Sequence, residues 1–84
     1  MDRKTVTTES LNYIENNIKN KITIDEIAGN AGYTKFYFSR LFKQEMKVSV
    51  MEYVRERKLI YATREILNGN KILDVAIEYG WESH

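Results

Sequence analysis

The sequence predicts an all-α domain, and three observations carry that expectation. Proline is absent from the 84 residues and glycine occurs only four times, so little interrupts a helix. Apolar residues recur at i, i+3 and i+4 rather than in alternation, which is the period of a helix face and not of a strand. Two capping boxes, Thr23 with Glu26 and Ser49 with Glu52, stand where periodic runs begin. The length suits one small domain with a modest core.

Residues 1–4 read as a polar, frayed start. A first helix is expected from about Thr7 or Thr8 to Asn17, with Leu11, Ile14 and Ile18 as its buried stripe and Tyr13 beside it. Asn16, Asn17 and Asn20 weaken that helix and favour a turn. Lys21 to Thr23 then connect to the first capping box. In the short helix that follows, Ile24, Ile27, Ala28 and Ala31 repeat at helical spacing. Gly32 ends it, because glycine accepts the left-handed conformation of a helix stop.

Thr34 is the expected N-cap of the next helix, over about residues 35–45. Phe38, Leu41 and Phe42 lie at i, i+3 and i+4 and should point inward. Lys35, Phe36, Ser39, Arg40 and Lys43 fall on the opposite side. A helix held by its apolar face and offering cations and hydrogen-bond donors outward is what a helix-turn-helix inserts into the DNA major groove. Residues 7–47 would thus form a homeodomain-like three-helix unit.

Ser49 opens a long linker helix over about residues 50–68. Val50, Val54, Leu59, Ala62, Ile66 and Leu67 supply its expected buried side, and Arg55, Arg57, Lys58 and Arg64 its cations. Asn68-Gly69-Asn70 stops it. The last segment, 71–84, repeats the earlier motif 48 residues later. Ile72, Asp74 and Val75 answer Ile24, Glu26 and Ile27; Ala76, Gly80 and Trp81 answer Ala28, Gly32 and Tyr33. The Ala, the Gly and the aromatic in register argue for an internal duplication. By that analogy Ser83 would cap a second reading helix and His84 would be its first residue. The sequence is therefore expected to be a piece that ends before that helix.

The net charge is only +1, but its distribution is uneven. Residues 35–64 hold eight basic and three acidic side chains, a local balance of +5, whereas residues 65–84 hold one basic and four acidic. The positive charge begins at the proposed reading helix and runs on into the linker. A solvated face of long helices would account for charge alone, so the argument rests on charge and motif together.

Other classes fit poorly. There is no cysteine, which excludes disulfides and thiolate metal sites, and the single histidine is His84. No glycine loop suits a phosphate, and no His/carboxylate cluster has metal-ligand spacing. Glu78 and Glu82 have Gly80 between them and no evident acid or base partner. An enzyme, a cofactor, a metal and a small-molecule site are therefore not expected. No stretch is apolar for long enough to span a membrane and no signal-peptide pattern opens the chain, which is compatible with the cytoplasm.

The runs ITIDEIAGNAGYTKFYFSRLFKQEM, EYVRERKL and ILDVAIEYGWES, in this order and spacing, resemble the DNA-binding domain of the AraC/XylS family of bacterial transcription regulators. The resemblance covers about residues 10–84 and is strongest to the subgroup controlling multidrug, superoxide and solvent stress. It implies two helix-turn-helix units joined by a linker helix, each laying a reading helix into one of two adjacent major-groove segments of operator DNA. It also implies activation by recruitment of RNA polymerase. Carried over by position, base reading and groove contact fall on Phe36, Ser39 and Arg40. Lys35, Tyr37 and Lys43 flank them as candidates for phosphate contact, and Thr34, the N-cap, is counted with them among the DNA-binding residues. Lys47 stands where a glycine is usual, and Val50 stands near a frequent proline.

Each role has a physical basis and a plainer alternative. Arg40 can pair bidentately with guanine or clamp a phosphate; otherwise it is an exposed helix arginine. Phe36 suits a thymine methyl or a sugar edge, since the core face is already made by Phe38, Leu41 and Phe42. Ser39 can hydrogen-bond a base or merely allow close approach. Lys35 and Lys43 would add affinity rather than sequence choice. Tyr37 sits at the boundary and suits packing against the first helix equally well. The rival reading is a protein-interaction module using Phe36, Tyr37 and Trp81, against which the basic face of residues 35–43 speaks.

Overall fold

In the computed structural model, which describes residues 2–81, five helices follow one another: α1 (Arg3–Asn16), α2 (Ile24–Ala31), α3 (Lys35–Met46), α4 (Val50–Leu67) and α5 (Ile72–Glu78). The described residues contain no strand, and none of these helices is long and apolar enough to cross a membrane.

Capping chemistry starts four of the five. Asp2, Thr23, Thr34 and Ser49 each accept a hydrogen bond from a backbone N–H three residues on, satisfying a donor the helix itself leaves free. The Asp2 cap corrects the expectation of a frayed start, because α1 begins at Arg3 and not at Thr7. Its register also differs. The buried line is Val6, Ser10 and Ile14 with Thr7 alongside, while Leu11, Tyr13 and Ile18 are only half-buried. Ser10 can lie in the core because its hydroxyl donates to the Val6 carbonyl at 2.8 Å.

Helices α1, α2 and α3 pack around Ile14, Ile27, Phe38, Leu41 and Phe42, and the start of α4 closes that core with Val50 and Val54. Phe38 and Phe42 are fully buried, their rings 5.8 Å apart, and Tyr53 of α4 meets Phe42 edge-on at 5.9 Å. A second, smaller cluster joins the far half of α4 to α5 through Ala62, Val75 and Tyr79. Two cores strung along one long helix give the molecule extents of 42 × 23 × 19 Å.

The inward line of α4 is Val50, Val54, Lys58 and Ala62, an uninterrupted i, i+4 series. Lys58, read from sequence as a solvent cation, is buried, whereas Leu59 and Leu67, read as core, are 50% and 80% exposed. Arg57 also turns partly inward. It donates to Glu15 at 2.8 Å, and the same carboxylate accepts from the Tyr61 hydroxyl. Burial alone would raise the Glu15 pKa; the hydrogen bonds from Tyr61 and Arg57 outweigh it and hold it below the ordinary glutamate value.

Candidate nucleic-acid interface

Everything at the α2–α3 corner follows from one backbone event. Gly32 takes φ 84°, and the Tyr33 N–H returns to the Ala28 carbonyl at 3.0 Å while the Gly32 N–H reaches Gly29. The chain thereby reverses within two residues, and Thr34 caps α3 at once. Burial of Phe38, Leu41 and Phe42 then fixes the rotation of α3 about its own axis.

That rotation decides which side chains are offered to a partner. Phe36, Arg40 and Lys43 lie at i, i+4 and i+7, all exposed, with Phe36 at 74% of its full surface. Lys35 sits beside them with its ammonium 5.3 Å from the Phe36 ring centre. Ser39 is half-buried at the edge of the face, so it is less free than its neighbours. Tyr37 is half-exposed and stacks on Tyr33 at 5.0 Å, which ties it to the turn. Thr34 is exposed, with its hydroxyl engaged by the Tyr37 N–H at 3.3 Å. Among the described residues, no carboxylate forms an ion pair with Lys35, Arg40 or Lys43.

Two cations of this face escaped the sequence reading. Lys47 continues the line from Phe36 at i+11, and a count from Phe36 would have found it. In the sequence it stands where a glycine is usual, and it does sit in the left-handed conformation, φ 64°, that ends α3. Arg3 lies beside α3 because α1 starts early. With Tyr37, Arg40 and Gln44 it lines a hollow of about 190 Å³, and it reaches Glu45 at 3.9 Å.

The corner after α5 copies the first one. Gly80 takes φ 78°, the Trp81 N–H returns to Ala76 at 2.9 Å and the Gly80 N–H to Ile77 at 3.1 Å, each bond 48 residues after its counterpart. The start of α5 is weaker, since Lys71 offers no side-chain cap where Thr23 does. Ser83 and His84, the cap and first residue expected for a second reading helix, lie outside the described residues, as does Glu82. Ile72, Leu73 and Ile77 are exposed on the outer side of α5, and no described element covers them.

Residues 27–84 match the family described as "Helix-turn-helix domain". The transposon Tn10 TetD protein of Escherichia coli is 40% identical over 80 residues, 94% of this chain and 58% of its own length. The HTH-type transcriptional activator AarP of Providencia stuartii is 32% identical over 82 residues, 96% of this chain and 61% of its own. The multiple antibiotic resistance protein MarA of Escherichia coli K12 is 32% identical over 74 residues, 87% and 58%. The chain thus spans about three fifths of the length of these relatives. No solved structure matches it at comparable significance.

Proposed function

The chain belongs to the AraC/XylS-type helix-turn-helix family, and from that premise we propose that it binds double-stranded DNA sequence-specifically in bacterial transcription control, with α3 as the helix that enters the major groove. The observation that carries the proposal is the outer face of α3. Phe36, Arg40 and Lys43 share one side of a helix whose other side is locked in the core, and their cations have no carboxylate partner among the described residues. A protein partner would favour an apolar centre with a polar rim; a row of unneutralised cations fits phosphates.

In this reading Arg40 and Phe36, at the centre of the face, meet base edges, Arg40 by paired donation to guanine and Phe36 by contact with a thymine methyl. Ser39 at the edge lets the helix seat closely and can donate to a base. Lys35, Lys43 and Lys47 neutralise phosphates on either side, and Tyr37, steadied by Tyr33, presents its hydroxyl to the backbone. Thr34 keeps the end of α3 intact beside the phosphates. The second corner would supply the adjacent contact. AarP is named a transcriptional activator; by that likeness this chain activates transcription in the cytoplasm, through contact with RNA polymerase.

The test is an amide NMR titration of the chain with a short mixed-sequence duplex at low salt. Shifts confined to residues 34–47 and reversed by added salt are the expected result. A dispersed spectrum with no shifts on α3 would refute the assignment.

A further inference from the structure

Lys58 occupies a place where helix packing asks for an apolar side chain. It stands between Val54, which belongs to the first core cluster, and Ala62, which belongs to the second, and only 8% of its surface is exposed. Its ammonium donates to the Asn20 carbonyl at 2.8 Å and to the Tyr79 carbonyl at 3.3 Å. Asn20 ends the turn that follows α1, and Tyr79 is the C-cap of α5. The Tyr79 oxygen lies at the C-terminal end of α5, where carbonyls lack an intrahelical partner and the dipole favours a cation, and the Asn20 oxygen closes the turn that follows α1. One ammonium with three donors serves two segments that no backbone hydrogen bond joins.

The neighbourhood reinforces the same seam. Ile18 is the apolar side chain packed against both core clusters. Lys19 reaches Glu65 at 3.0 Å and Glu78 at 3.2 Å, but it does so at the surface, where such pairs hold geometry weakly. Lys58 differs because it is itself buried together with Tyr79, so loss of the ammonium would leave the Tyr79 carbonyl without that donor in a buried place, while Asn20, at the surface, anchors the other end of the link. Desolvation lowers its pKa from the usual lysine value, which is the cost of placing a charge there. A leucine would fill the space without that cost, but it would not select one orientation of α5.

We propose that Lys58 is a positioning residue that fixes the orientation of α5, and so of the Gly80–Trp81 corner, relative to the α1–α3 reading unit. The proposal rests on the DNA-reading assignment for its consequence. Tyr79 immediately precedes the corner equivalent to the one that launches α3, so the ammonium holds the point from which a second contact with DNA departs. Two contacts on one duplex must match the spacing of successive major-groove segments. Lys58 thereby acts on operator spacing without touching DNA.

Residual dipolar couplings of the 84-residue chain test this without DNA. In the unsubstituted protein, amides of α1–α3 and of α5 should fit one alignment tensor. In Lys58→Met, which keeps an unbranched apolar stem and removes the donors, α1–α3 should keep its fit while α5 loses coupling amplitude or needs a tensor of its own. An α5 that still fits the common tensor would overturn the proposal. Should that variant not fold, the ammonium of the unsubstituted chain is measured directly. Lys58 Nζ should show restricted motion and slow proton exchange beside the exposed Lys43, and equal mobility would overturn the proposal. A chain that passes these tests and shows no shifts with duplex would refute the DNA-reading assignment alone.

Discussion

Replacing Lys47 by glycine should stabilise the protein, although it deletes a hydrogen bond. Lys47 holds φ 64° at the end of α3, and it is the one non-glycine residue at positive φ among those described. A left-handed L-residue costs about 1–2 kcal/mol, a cost glycine does not bear. Against this, glycine enlarges the unfolded ensemble by about 0.4–1 kcal/mol. The lost bond from Lys47 Nζ to the Gln44 carbonyl is exposed, so it falls at the low end of the ~0.5–1.5 kcal/mol net range. The terms leave a gain of about 0.3 kcal/mol, or about 1–2 °C in Tm for a domain of this size. Lys47→Ala separates the causes. Alanine loses the same bond and keeps the strain, so the glycine variant should exceed it by about 0.5–1 kcal/mol in urea or thermal unfolding followed by circular dichroism. Equal stability of the two variants would refute the strain argument. Their DNA binding should nevertheless agree, because both remove one cation from the α3 face, and each should lower the salt slope by about 0.9.

Arg40→Ala should cost about 1–3 kcal/mol at the preferred sequence and little elsewhere, whereas Lys43→Ala should weaken all duplexes alike; fluorescence anisotropy across a small duplex panel distinguishes these patterns. Phe42→Ala empties the centre of the first core, where the ring is fully buried against Phe38 and Tyr53, and should cost about 3–5 kcal/mol by urea titration. Glu15 has a folded pKa below its unfolded value. Its stabilising contribution is therefore fully present above the unfolded glutamate pKa of about 4.3 and disappears as pH falls through the folded value. Glu15→Gln should flatten that part of a Tm-against-pH curve between neutral and acid pH.

The helical plan was legible because local chemistry and tertiary need agree at the elements that matter most. Thr23, Thr34 and Ser49 cap where the capping pattern places them, and Gly32 adopts the conformation that only glycine adopts without strain. The inward face of α3 followed from three large apolar residues at helical spacing, which left Phe36 and Arg40 outside by elimination. The repeated corner was legible for the same reason, since Ala28, Gly32 and Tyr33 recur as Ala76, Gly80 and Trp81, and the structure repeats the same hydrogen bonds there.

The misread positions share one cause, which is that residue type is an imperfect proxy for burial when the backbone supplies partners. Ser10 and Lys58 occupy core positions because carbonyls lie within reach of a hydroxyl and an ammonium. No hydropathy pattern reports that, because the acceptors of Lys58 come from segments 38 and 21 residues away. Putting Lys58 outside forced Leu59 inside, and a one-residue rotation of α4 moved the error down the helix to Leu67. The correct face was still available in the sequence. Val50, Val54, Lys58 and Ala62 form an unbroken series at four-residue spacing, and a lysine within it can be buried where backbone carbonyls come within reach of its ammonium.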